Sequence, residues 1–123
     1  MLTVHTLEVL PTVEELNEAV GRAFLARLRT LVDEADAGSR VNLAISGGAI
    51  TTSLLPSLLP VVGEVDWSRV RVWLVDERYV PAGDVDRNDD QAWEGFFRAA
   101  SGVEFVHMPT SDVSAPGAGS LDE

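Results

Sequence analysis

The sequence predicts an α/β layered fold built on a mostly parallel sheet. Three observations carry this. Strand-like and helix-like stretches alternate along the chain, the run at residues 40–45 is apolar enough for burial on both faces, and polar turns fall directly after strands.

Residues 4–9 read as a first short strand, with Val4, Thr6 and Glu8 on one face and His5, Leu7 and Val9 on the other, ended by Pro11. Thr12 and Glu15 form a Thr-x-x-Glu capping box, which marks a helix start. Val13, Leu16, Val20, Phe24, Leu28 and Leu31 follow at steps of three and four, one apolar stripe that stops at Ala37-Gly38-Ser39. Residues 40–45 form the second strand. After Ser46-Gly47-Gly48, residues 49–59 read as a helix that Pro56 kinks or ends early. Residues 65–68 are a loop, and residues 70–75 are the most β-prone run in the chain. Asp76-Glu77-Arg78 ends that strand and opens a polar loop carrying Pro81 and Gly83. Residues 88–100 read as a third helix that buries Ala92, Trp93, Phe96 and Phe97; Gly102 ends it, and residues 103–106 form a fourth strand. From Met108 the pattern fades. Residues 1–108 are therefore read as the folded α/β part, and residues 109–123, rich in Pro, Gly and Ser, as a flexible tail.

Composition narrows the function. The 123 residues are 46% hydrophobic and 24% charged, a globular balance for one domain with a real core. Nine Lys plus Arg against twenty Asp plus Glu give a net charge of −11, which opposes a nucleic acid or an anionic membrane as partner. An anionic small molecule would need a local cluster of donors working against that field. There is no cysteine, so disulfides and thiolate chemistry are excluded. No apolar run approaches the roughly 20 residues that span a bilayer, and the N-terminus lacks the pattern of a signal peptide; cytoplasmic is the default expectation.

In parallel α/β sheets, ligands sit beyond the carboxyl ends of the strands. Two polar motifs lie at such ends. Ser46-Gly47-Gly48 is a turn in which glycine permits unusual backbone angles and close approach of a ligand, and its N–H groups can hold an anion. It can also be only a turn. In Asp76-Glu77-Arg78, Arg78 could clamp a phosphate in bidentate fashion, and Asp76 could hold a sugar hydroxyl, orient a histidine or move a proton. Otherwise Asp76 caps the next turn and Arg78 pairs with a nearby carboxylate. Asn88 either donates to a ligand or N-caps the third helix. Thr51 and Thr52 could add hydroxyls beside the glycine turn. His5 is read as structural. His107 follows the fourth strand on the correct side of the sheet, but no motif surrounds it. No His, Asp and Glu cluster has metal-ligand spacing.

Together these residues resemble the N-terminal half of the 6-phosphogluconolactonase family, within the wider group that includes glucosamine-6-phosphate isomerase/deaminase. The matching pieces are Leu43-Ala44-Ile45-Ser46-Gly47-Gly48, Val65-Asp66-Trp67-Ser68-Arg69-Val70, Trp73-Leu74-Val75-Asp76-Glu77-Arg78-Tyr79-Val80-Pro81 and Asp86-Arg87-Asn88, with His107-Met108-Pro109 and Ser111-Asp112 where the family's first half closes. The Asp-Glu-Arg form favours lactonases over deaminases. The resemblance implies a three-layer, Rossmann-like, mostly parallel sheet with helices on both faces, apparently incomplete. It implies hydrolysis of 6-phosphoglucono-δ-lactone in the oxidative pentose phosphate pathway, with no metal or organic cofactor. Asp76 and Arg78 would be catalytic; Ser46, Gly47, Gly48, Thr51, Arg78 and Asn88 would bind the sugar phosphate.

Two departures stand out. Ile50 and Thr51 occupy the places where the family usually has Thr-Pro, and the family's later Asp-Gly-His segment, with its acid/base histidine, does not occur. The chain therefore reads as the first half of a lactonase, inactive alone and prone to self-association through faces a second half would cover. The alternative is a stand-alone sugar-phosphate-binding module without the chemistry.

Overall fold

The computed structural model describes residues 4–111. The longest element is helix α1 (Val13–Glu34), and its start follows the predicted capping box: the Glu15 N–H donates to Thr12 Oγ1 at 3.1 Å. Glu14 and Glu15 in the first turn complement the positive end of the helix dipole. Three strands follow, β1 (Val41–Ile45), β2 (Val70–Leu74) and β3 (Glu104–Phe105), parallel throughout and in spatial order β1-β2-β3. The register runs from Val41 opposite Val70 to Ile45 opposite Leu74, with Arg71 opposite Glu104 on the far side. Between the strands lie α2 (Leu55–Ser57) and α3 (Asn88–Gly95). The predicted α/β architecture with a parallel sheet therefore stands.

The core forms where the helices meet one face of that sheet. Val70, Val72 and Leu74 of the central strand are buried there with Leu25, Leu28, Leu55, Leu58, Phe96 and Phe97. Trp67 packs edge-to-face on Phe96 and Phe97, with centroids 5.4 and 5.8 Å away, and its Nε1 donates to the Val62 carbonyl at 2.7 Å. The expectation of helices on both faces is met on this face only among the described residues. The opposite face presents Ala44, Trp73 and Val75 at the surface, with Trp73 Nε1 donating to Asn42 Oδ1 and Arg71 paired to Glu104 at 2.7 Å.

Three local expectations change. Residues 4–9 are not a strand: they pair with no neighbour, and Val4, Leu7 and Val9 are exposed. Alternation of side chains suffices for a strand only where a sheet edge offers hydrogen-bond partners. The buried stripe of α1 is Gly21, Leu25, Leu28 and Val32, whereas Val13, Leu16 and Val20 lie exposed. A helix of 22 residues is about 33 Å long and a five-residue strand about 17 Å, so α1 overhangs the sheet it packs on. The second helix is broken into a π turn (Ile50–Leu54), α2 and a 3₁₀ stretch (Leu59–Glu64). Pro56 lies in the first turn of α2, where its missing N–H costs least; deeper in a regular helix its ring would meet the carbonyl four residues back. The tail expected at residues 109–123 lies mostly outside the described residues. Within them, the Ser111 N–H donates to the Val80 carbonyl at 3.1 Å.

Candidate functional site

The carboxyl ends of β1, β2 and β3 bring three segments to one edge of the sheet. Above β1, Gly48 has φ +76°, a left-handed conformation that glycine reaches without strain, and this turns the chain from strand into helix. Its carbonyl collects the N–H groups of Thr51 and Thr52 at 3.1 and 3.0 Å. Gly47 is needed for a different reason: a Cβ there would collide with the carboxamide of Asn88. Glycine at this place lets the start of α3 close over the turn.

Above β2, neighbouring side chains separate by role. Asp76 and Arg78 are exposed, while the Glu77 side chain is almost fully buried (1% exposed). Its carboxylate accepts from the backbone N–H groups of Arg78 (2.9 Å), Asn88 (2.7 Å) and Asp89 (2.9 Å). Glu77 thereby caps α3 from a distance, an anion on the helix N-terminus. The Asn88 carboxamide is left to reach the Asp76 carbonyl and Asp76 Oδ1 in long contacts of 3.4 and 3.5 Å.

Beneath this edge lies a fully buried arginine. Arg87 Nη2 donates to Asp89 Oδ2 at 2.8 Å and to the Met108 carbonyl at 2.9 Å; Nη1 donates to the carbonyls of Arg78 (3.0 Å) and Pro109 (3.1 Å). Its Nε lies 3.7 Å from Glu77 Oε2. One guanidinium therefore ties the loop after β2, the start of α3 and the segment after β3. Asp89 Oδ2 also faces His107 Nδ1 at 3.1 Å. Among the described residues every buried polar side-chain atom has a partner.

The electrostatics follow from these contacts. The hydrogen bond that Arg87 donates to Asp89 raises the Arg87 pKa against the opposing effect of burial. Burial alone would raise the Asp89 pKa, but hydrogen bonds from Arg87 and His107 and the charge of Arg87 hold it below its ordinary value of 3.8. A carboxyl group with a depressed folded pKa stabilises the fold above its unfolded pKa, and that contribution is lost as pH falls through the folded value. Stability to urea is accordingly expected to fall as pH drops below about 4. Part of that slope should vanish in Asp89→Asn, and an unchanged slope in this variant would assign the acid sensitivity elsewhere.

The structure thus brings Ser46, Gly47, Gly48, Asp76, Arg78 and Asn88 to one edge. The Arg78 guanidinium makes no ion pair among the described residues. Thr51 is placed differently: it is buried, with Oγ1 3.1 Å from the Gly48 carbonyl and 3.2 Å from Gln91 Oε1, so its hydroxyl serves the turn from below. Thr52 is exposed, and its hydroxyl donates to the same carbonyl. His5 is exposed and distant in sequence from this edge. Sequence reasoning missed Glu77, Arg87 and Asp89. The available signal was a single arginine within an acidic run that includes Asp84, Asp86, Asp89 and Asp90. Among the described residues no group of three side chains could hold a metal ion, and no helix is long and apolar enough to cross a membrane.

The family model for glucosamine-6-phosphate isomerases/6-phosphogluconolactonase matches residues 11–121. The chain belongs to this family. It is 37% identical over 78 residues to the 6-phosphogluconolactonase of Streptomyces coelicolor, covering 61% of this chain and 30% of that protein. It is 34% identical over 100 residues to the 6-phosphogluconolactonase of Mycobacterium leprae, covering 81% and 38%. The solved 6-phosphogluconolactonase of Shewanella baltica superposes with a TM-score of 0.65 at 26% identity, over 79% of this chain and 40% of that one. That of Leishmania guyanensis, at 21% identity, shares the Rossmann-like fold with a TM-score of 0.69. The chain spans less than half the length of these family members.

Proposed function

We propose that the carboxyl edge of this sheet is the sugar-phosphate side of a 6-phosphogluconolactonase site, serving the hydrolysis of 6-phosphoglucono-δ-lactone to 6-phosphogluconate. The observation that carries the reading is the placement beside the Gly47-Gly48 turn of exposed Asp76 and of an exposed Arg78 that makes no ion pair among the described residues, in a chain whose relatives bear that name. Backbone N–H groups of the turn and the Arg78 fork suit a phosphate, and Asp76 suits a sugar hydroxyl. Asn88, seated on Gly47, reaches Asp76 through two long contacts. On this reading the protein works in the cytoplasm, in the pentose phosphate pathway.

Opening the lactone requires removing a proton from the attacking water and delivering one to the ring oxygen. The Asp-Gly-His segment that the family resemblance assigns to this role does not occur in these 123 residues. The polypeptide is therefore expected to bind 6-phosphogluconate, seen as a ligand-dependent rise in melting temperature. It is expected to give no lactone hydrolysis above the spontaneous rate. A clear enzymatic rate would place the acid/base group within this chain; absence of any stabilisation would end the sugar-phosphate reading. Binding without turnover is also what a non-catalytic module would show.

The open faces carry a further expectation. Trp73 and Val75 on the sheet and Val13, Leu16 and Val20 on α1 are exposed, and an apolar groove of about 310 Å³ runs between Val20, Phe24, Leu43 and Leu54. Self-association at micromolar concentration should follow, and sedimentation of a strict monomer would count against it.

A further inference from the structure

The Glu77 side chain is 1% exposed, and protein donors take up both of its carboxylate oxygens. Oε1 accepts from the N–H groups of Arg78 at 2.9 Å and Asn88 at 2.7 Å; Oε2 accepts from the Asp89 N–H at 2.9 Å and lies 3.7 Å from Arg87 Nε. These bonds hold the residue that bears the exposed cation. The Arg78 N–H goes to Glu77, and the Arg78 carbonyl accepts from Arg87 Nη1 at 3.0 Å. Both backbone polar groups of Arg78 are thus tied to one buried ion pair. A backbone held on both sides of its Cα fixes the direction of the Cα–Cβ bond and leaves the side chain only its rotamers.

The same carboxylate holds the start of α3. Asn88 stands there with its carboxamide against Gly47, so close that a Cβ on Gly47 would collide with it. Glu77 therefore sets the spacing between the loop that bears Arg78 and the glycine turn. An acidic chain needs such a device. Asp76, Asp84 and Asp86 lie near Arg78 in the sequence, and a guanidinium on a slack loop would fold back onto a carboxylate. Arg78 makes no ion pair among the described residues.

We propose that Glu77 is a positioning residue of this site: acting through the Arg78 backbone, it aims the guanidinium at the phosphate of a sugar phosphate and does not itself touch the ligand. The proposal rests on the sugar-phosphate reading above and deepens it by separating the group that binds from the group that aims. Because folding has already ordered the loop, anion binding does not have to supply that ordering.

Glu77→Gln keeps the size of the side chain, but whichever way the carboxamide turns, its NH2 meets a backbone N–H donor. Affinity for 6-phosphogluconate, read by calorimetry on a variant that keeps the parent's circular dichroism, should fall roughly 10- to 100-fold, as when a group that orients a metal ligand is changed. In an Arg78→Ala background the same change should cost no more than about twofold, because a group that acts through Arg78 has nothing left to act on. A purely structural role would lower the urea midpoint and leave the affinity of the folded chain alone. That result overturns the proposal, and so do additive losses in the double variant.

Amide hydrogen exchange on the unmodified chain gives an answer even if Glu77→Gln does not fold. The N–H groups of Arg78, Asn88 and Asp89 should be protected equally with and without 6-phosphogluconate. Protection gained only with the ligand present would mean that the ligand orders the loop, and the proposal falls while the site stands. If the unmodified chain does not bind 6-phosphogluconate, the sugar-phosphate reading fails and takes the proposal with it.

Discussion

Arg87→Met is expected to destabilise the chain by about 3–5 kcal/mol, the usual cost of removing one partner from a buried ion pair. The reason is what remains behind. The Glu77 and Asp89 carboxylates stay buried, and the carbonyls of Arg78, Met108 and Pro109 lose their donor. Domains of this size are stable by only about 5–15 kcal/mol, so the variant should melt in far less urea and lose order first at the carboxyl edge. Trp67 and Trp93, both packed against the phenylalanine cluster, report unfolding by fluorescence. Arg87→Lys keeps a charge but not the planar fork that reaches two carboxylates and three carbonyls, so it should recover only part of the loss. A Met variant within about 1 kcal/mol of the parent would mean that water replaces the guanidinium and that the hub is dispensable.

Arg78→Ala should do the opposite: leave folding nearly unchanged and remove ligand binding. The side chain is exposed and unpaired among the described residues, so its loss should cost less than about 0.5 kcal/mol of stability. A charge-assisted hydrogen bond is worth about 1.5–3 kcal/mol, so affinity for 6-phosphogluconate should fall about 10- to 100-fold. The net charge of −11 sharpens this expectation, since little else on the chain attracts an anion. Calorimetry on the parent, Ala and Lys variants reads it directly; Lys should restore charge but not bidentate geometry. Equal affinities in parent and Ala would sink the assignment of this edge to a sugar phosphate.

Much of the fold was legible because local chemistry decides it. Thr12 and Glu15 mark a helix start in any context, and residues 70–74 are β-prone and apolar enough to be a central strand wherever they fall. Residues 4–9 carry the same alternation and form no strand, because pairing is a property of two segments and the pattern of one says nothing of its partner. The α1 stripe was misplaced for a related reason: periodicity shows which residues share a face, not how far the neighbouring sheet extends.

Residue type and order were enough to read an acidic α/β fold, a family resemblance, and the two polar motifs that follow its strands, since glycine turns and strand-end carboxylates are local features. Which of those residues face outward is settled by packing. The segment after β2 turns Glu77 inward beneath Asp76 and Arg78, and the Ile50–Leu54 turn carries Thr51 under the glycine loop. Arg87, one basic residue in an acidic run, becomes the tie between three segments only when β2 and β3 lie side by side. Burial and partnership are relations between distant parts of the chain. Residue type sets what a side chain can do, and packing sets whether it does so toward ligand or toward protein.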